Sequence, residues 1–202
     1  MQRISYLILI VLALLAPRGT SADPLVIDFE GLNDLDPVTT QFLGLVFSNA
    51  TVLTSGIFGG SLNEIENPPH SGINVVTDEA GPISISFLTP LLSFGGFFTY
   101  TVSLKLEAFD VANHPLLPLA TSAFNNNQAI SGENGSVPNE FLELTFAQGI
   151  AKLMITGDPL GDSFTLDDVT VTSSVPVPEP GTLSLLLAGG ITVLCARKRF
   201  FG

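Results

Sequence analysis

The sequence predicts an all-β fold: an antiparallel β-sandwich, jelly-roll-like, between a cleaved N-terminal signal peptide and a C-terminal single transmembrane helix. Three observations predict it. Apolar residues in the middle of the chain recur with a period of two rather than 3.6. Glycine- and proline-containing breakers punctuate those runs at short intervals. The longest apolar stretches lie at the two ends of the 202-residue chain, where they read as addresses rather than core.

The strands follow in order. Leu25, Ile27 and Phe29 alternate with Val26, Asp28 and Glu30 and open the domain. Further strands are expected within residues 43–53, 74–77 and 117–124. Ile83, Ile85 and Phe87 alternate with Ser84 and Ser86. The clearest run sets Phe98, Tyr100, Val102, Leu104, Leu106 and Ala108 on one face. Thr99, Thr101, Ser103, Lys105 and Glu107 fall on the other, as a sheet with one solvated face requires. Leu142, Leu144 and Phe146 oppose Glu143 and Thr145; Ala151, Leu153 and Ile155 oppose Lys152 and Thr156. Gly59-Gly60, Pro68-Pro69, Gly81-Pro82, Gly95-Gly96, residues 132–138 and Gly157-Asp158-Pro159 read as breaks between strands. No stretch between residues 23 and 174 carries a helical period. In the closing strand Phe164 and Leu166 set one phase, and Val169 and Val171 the opposite one. A β-bulge at Asp167-Asp168 would keep all four inside.

The two ends carry targeting information. Arg3 is a short positive region, residues 6–16 are an almost unbroken apolar run, and Thr20-Ser21-Ala22 offers the small residues that signal peptidase needs. Residues 1–22 are therefore expected to be removed by cleavage between Ala22 and Asp23. At the other end, residues 175–181 form a proline-rich linker, stiff and extended. Residues 182–196 are apolar or small throughout, and Arg197-Lys198-Arg199 follow directly. As a helix, that run covers roughly 22 Å against a hydrocarbon core of roughly 30 Å. Snorkelling of the basic residues makes up length, and their charge holds residues 182–202 as helix and cytoplasmic tail. Residues 23–174 are then the exported domain.

Pro178-Glu179-Pro180, a short apolar helix and a terminal basic cluster, in that order, resemble the bacterial PEP-CTERM sorting signal, a segment also known as the ice-binding protein C-terminal domain. The resemblance covers about the last 28 residues. It implies recognition by an exosortase-type sorting enzyme, an inner-membrane-anchored precursor, and a final place at the cell surface or outside the cell. It does not imply ice binding: Thr99-Tyr100-Thr101 and Thr170-Val171-Thr172 are isolated pairs rather than a repeat. The middle of the chain resembles the β-sandwich domains common in such proteins, which look distantly like carbohydrate-binding modules. That likeness rests on Ile27-Asp28-Phe29-Glu30, on residues 104–110 and on residues 164–171.

Charge narrows the function. Residues 23–174 hold 18 acidic residues against Lys105 and Lys152, a formal charge of −16. Such a surface repels nucleic acid. The one cysteine, Cys195, lies in the apolar tail, so the exported part has no disulfide and depends on its core. His70 and His114 have neither the spacing nor the cysteine partners of a zinc site. Gly161-Asp162-Ser163-Phe164 is similar to the opening of GDSL hydrolases but leads into a β-strand, and no Gly-x-Ser-x-Gly elbow exists.

The adjacent Asp167 and Asp168 repel each other unless a cation or donors compensate. Two readings stay open: a Ca²⁺ site, or a solvated pair at a turn. If the first and last strands lie side by side, Asp28 or Glu30 would join Asp167 and Asp168 around the ion. Asp28, Glu30, Asn33, Asp34 and Asp36 alone do not have the spacing of an EF-hand loop.

The leading expectation is a non-enzymatic surface or extracellular-matrix protein, sorted by its tail and stabilised by calcium. The alternative is a carbohydrate-binding module acting on exopolysaccharide, which would need an exposed aromatic patch. A secreted hydrolase would need a concave site with convergent carboxylates. The chain has no tryptophan, and its tyrosines are Tyr6 in the signal and Tyr100. Its fifteen phenylalanines read mostly as core, with Phe109 in an exposed phase. This composition weighs against a sugar-stacking face.

Overall fold

Period-two alternation becomes nine antiparallel strands in the computed structural model, which describes residues 23–173. The signal peptide with Ala22 of its cleavage site, Pro178-Glu179-Pro180, the apolar tail helix and Arg197-Lys198-Arg199 lie outside the described residues. Among the described residues, no helix is long and apolar enough to cross a membrane. A single 3-10 turn at Gly56–Phe58 is their helical content.

The strands are β1 (Leu25–Ile27), β2 (Leu45–Ser48), β3 (Ala50–Thr54), β4 (Asn74–Asp78), β5 (Ile83–Tyr100), β6 (Lys105–Phe109), β7 (Pro115–Thr121), β8 (Glu140–Thr156) and β9 (Phe164–Ser173). They pair in the order β3-β4-β9-β5-β8-β6-β7, with β1 on β9 and β2 on β5.

The two long strands make this a sandwich. The first part of β5 pairs with β2 and with the end of β8; its second part pairs with the start of β8 and with β9. Between the pairs Ser86–Lys152 and Leu91–Ile150, β5 has residues 87–90 where β8 has only Ala151. Between Leu91–Ile150 and Ser93–Thr145, β8 has residues 146–149 where β5 has only Leu92. These reciprocal irregularities crease the sheet, as bulges do at sandwich corners. Gly149 sits on the crease at φ 90°, and a Cβ there would come within 2.9 Å of Pro90 Cβ. The two halves close over one core. It holds Phe47, Ile83, Ile85, Leu106 and Leu153 from one half and Phe94, Phe98, Leu144, Leu166 and Val169 from the other.

Three expectations are corrected. The clearest alternating run is not one strand: β5 ends at Tyr100, the chain bends through 101–104, and β6 starts at Lys105. Thr99, placed on the solvated face by phase, is fully buried, because loops cover that end of the sheet. Gly95-Gly96 does not break a strand but lies inside β5. A Cβ on Gly95 would lie 2.6 Å from the Phe141 ring, and one on Gly96 would lie 2.6 Å from Leu166 Cδ1. Glycine is needed there for close packing on both faces of the sheet, not for a turn.

The phase slip in β9 is a bulge. Phe97 pairs with Asp167 and Gly95 with Thr170, so Asp168 and Val169 face the single residue Gly96. Asp168 takes a left-handed φ of 45°. Phe164, Leu166, Val169 and Val171 are all buried as a result.

Candidate functional site

The outer face of the β8-β5-β9 half carries the most unusual side-chain arrangement. Phe97 and Phe141 are cross-strand partners on β5 and β8, with ring centroids 5.0 Å apart. Phe141 is 44% exposed, and its ring covers the backbone of Gly95. The His70 ring, from the loop between β3 and β4, lies parallel to Phe97 at 3.4 Å and 9°. The three rings form a stripe across the sheet that ends at the bulge carrying Asp167 and Asp168. Glu143, two residues beyond Phe141 on the same face, is exposed.

The loop carrying His70 is fastened by those aspartates. Asp167 Oδ2 accepts the backbone N–H groups of His70 at 2.7 Å and Ser71 at 2.9 Å, and Asp167 Oδ1 accepts that of Asp168 at 2.7 Å. Asp168 Oδ1 accepts the Ser71 hydroxyl at 2.9 Å, and Asp168 Oδ2 lies 2.6 Å from His70 Nδ1, a bond that needs the ring proton on Nδ1. Asn139 Nδ2 donates to Pro68 O at 3.1 Å, and the Glu66 carboxylate accepts Ile130 and Ser131 N–H at 3.0 Å each. Burial, with the neighbouring Asp168 charge adding to it, raises the Asp167 carboxyl to about 6, despite the N–H groups that it accepts. The Ser131 hydroxyl and the Ser131 and Ile130 N–H groups hold Glu66 below the usual range.

The calcium expectation meets a different arrangement. β1 does lie beside β9, with Ile27 opposite Val169. Phe29 then turns away at φ 60° and buries its ring. Glu30 Oε1 accepts the N–H groups of Ile73 and Asn74 at 2.8 Å each, and Asp28 Oδ1 accepts the N–H of Glu30 at 3.2 Å. Asp28 and Glu30 therefore do not join Asp167 and Asp168 in one set. Among the described residues no three His, Cys, Asp or Glu side chains are placed to hold a metal ion. Protein donors compensate the paired aspartates. On this basis, melting in millimolar Ca²⁺ and in chelator should agree within about 1 °C. A difference of several degrees, lost in Asp168→Ala, would restore the metal reading.

Tyr100 is core: it is fully buried and its hydroxyl donates to Glu140. Burial and that carboxylate push its phenol up to about 12. Phe109 lies under Lys152, whose Nζ is 4.9 Å from the ring centroid. The aromatic face is instead built from Phe97, Phe141 and His70, none of which the residue pattern singled out as a surface group. As for acid–base chemistry, both Asp167 oxygens are taken by N–H donors, so this carboxyl is not offered to a substrate.

No protein-family model and no curated protein matches the chain. Solved structures do. The K1 cleaved adhesin domain of Lys-gingipain from Porphyromonas gingivalis W83 is 12% identical, with a TM-score of 0.43 over 75% of this chain and 99% of that one. A mutant family 29 carbohydrate-binding module is 10% identical, with a TM-score of 0.40 over 80% and 100%. A family 35 carbohydrate-binding module from Clostridium thermocellum is 16% identical, with a TM-score of 0.36 over 75% and 99%. Likeness at this level transfers neither ligand nor activity.

Proposed function

We propose that this is an exported, non-enzymatic binding domain on a jelly-roll-like sandwich, and that the outer face of its β8-β5-β9 half takes up polysaccharide. The observation that carries the reading is the stripe of Phe141, Phe97 and His70, closed at one end by Asp167 and Asp168. Aromatic faces pack against the C–H faces of sugar rings, Asp167 and Asp168 hold the His70 loop in place, and the exposed Glu143 carboxylate is free to accept hydroxyl hydrogen bonds. The rings sit on paired strands and a pinned loop, so little ordering entropy opposes binding.

Charge narrows the ligand. A domain of formal charge −16, with Asp168 and Glu143 near the stripe, repels uronate and sulfate polymers and favours neutral or amine-bearing ones. Export and attachment outside the cell rest on the signal peptide, the Pro178-Glu179-Pro180 linker and the basic tail. Signal peptidase and an exosortase-type enzyme are the corresponding partners, and extracellular polymer would be the setting in which such a face meets polysaccharide.

Affinity electrophoresis through gels holding neutral glucan, xylan, mannan, chitosan or alginate tests the reading. Wild-type protein should be retarded by at least one of the first four and not by alginate. Phe141→Ala should lose at least about tenfold in affinity, roughly 1.4 kcal/mol. Its melting temperature should change little, because the ring is nearly half exposed. Unretarded migration in all five gels would contradict the reading.

A further inference from the structure

A second feature of the same domain is independent of the aromatic stripe. A cavity of about 200 Å³ lies where the starts of β9 and the loop after β3 meet residues 101 and 128. It is lined by Asn63, Asn67, Gln128 and Asp162, together with apolar Leu62 and Phe164. Drug-sized ligands occupy roughly 300–1,000 Å³, so this cavity admits one small molecule, about one sugar ring.

Its wall is built at a cost that packing alone does not require. Asp162 is held at φ 54°, with its N–H donating to Asp78 O. Asp78 is a fully buried carboxylate. Its Oδ1 accepts the N–H of Ser163 at 2.8 Å and of Phe164 at 3.0 Å, and its Oδ2 accepts the Ser163 hydroxyl at 2.7 Å. A buried charge and a left-handed aspartate together fix one short turn, and that turn is the cavity wall. On the opposite side, Gln128 Nε2 donates to Asn67 Oδ1 at 3.2 Å, which fixes both amides. Among the described residues, the side chains of Asn63 and Asp162 bond to no protein group.

We propose that this cavity binds a single neutral sugar ring. Carboxamides that both donate and accept, a carboxylate able to accept from two adjacent hydroxyls, and an apolar floor for the C–H face match a polyhydroxylated ring. They match a phosphate or a carboxylate ligand poorly, because no cationic side chain lines the cavity.

The test is saturation-transfer NMR on the full chain with D-glucose, D-galactose, D-mannose and N-acetyl-D-glucosamine as probes. Wild-type protein and the Phe141→Ala variant should bind at least one of them alike, with millimolar affinity or better. The Asn63→Ala, Asp162→Asn double variant should lose about tenfold or more. Both positions are exposed, and asparagine tolerates the left-handed φ at 162, so the double variant should melt like wild type. Three results would overturn the proposal: no response to any of the four sugars, a response unchanged in the double variant, or a response lost in Phe141→Ala. The last would place the sugar on the aromatic stripe and leave that reading intact.

Discussion

Asp78→Ala should lower the unfolding free energy by about 3 kcal/mol, and Asp78→Asn by less than about 1 kcal/mol. The alanine variant strands three buried donors, namely the Ser163 N–H, the Ser163 hydroxyl and the Phe164 N–H. Each buried donor left without an acceptor costs about 1–3 kcal/mol. Removing the carboxylate also removes a desolvated charge: burial raises the Asp78 carboxyl above its ordinary value, even though those donors oppose the shift. The net loss therefore falls below the sum of three stranded donors. Asparagine keeps an acceptor for both N–H groups and an amide for the hydroxyl. For a domain of this size, the alanine variant should melt about 6–12 °C lower. Thermal denaturation of the two variants checks this. Equal, small losses in both would mean that the turn at 161–164 does not depend on Asp78.

Stability should rise as pH falls from 7 toward about 4.5, the reverse of the usual behaviour of carboxylate-rich proteins. Asp167 is raised to about 6 by burial and by its neighbour Asp168. A carboxyl raised in the folded state stabilises it fully below the unfolded value near 4, and that contribution is lost as pH rises through about 6. Asp78 shifts in the same direction. The formal charge of −16 on residues 23–174 adds self-repulsion that lessens as carboxylates are protonated. Opposing shifts act lower down. Glu66, Asp110 and Glu64 are held below their ordinary values by the Ser131, His114 and Glu64 groups respectively. At Asp34, burial is outweighed by bonds to Thr54 and Ser61. Their contribution disappears only as pH falls through those depressed values, which sets the acid limit. Melting temperature against pH should therefore peak at mildly acid pH, and Asp167→Asn should flatten the limb between 4 and 6. A peak at or above pH 7 would contradict this balance.

The strand period, the lack of a helical period between residues 23 and 173 and the bulge at Asp167-Asp168 were legible in the sequence, because each is a local matter of phase. Even the bulge's purpose could be read, since only an extra residue keeps Leu166 and Val169 on one side. The interior glycines misled for a physical reason. Gly95 and Gly96 are needed because Phe141 and Leu166 approach their backbone, and those neighbours come from β8 and β9. The same limit hid the aromatic stripe. Phe97 looks like one more apolar residue in a phenylalanine-rich strand until its register with Phe141 is known. His70 lies 98 residues from Asp168 in the chain, and nothing in Pro68-Pro69-His70 announces that a loop will bring it onto the sheet. Donors to the paired aspartates come from that loop as well, so the sequence alone could not assign partners to them.

Polysaccharide should land on the outer face formed by β8, β5 and β9. A chemical-shift titration of isotope-labelled protein with the oligosaccharides of whichever polymer retards it in the gel would locate the contact. The backbone amides of His70, Gly95, Phe97, Phe141 and Asp168 should shift together along one saturating curve, with Lys105, Phe109 and Leu117 of β6 and β7 unmoved. Shifts confined to β6 and β7, or no saturating shift at the stripe, would contradict it.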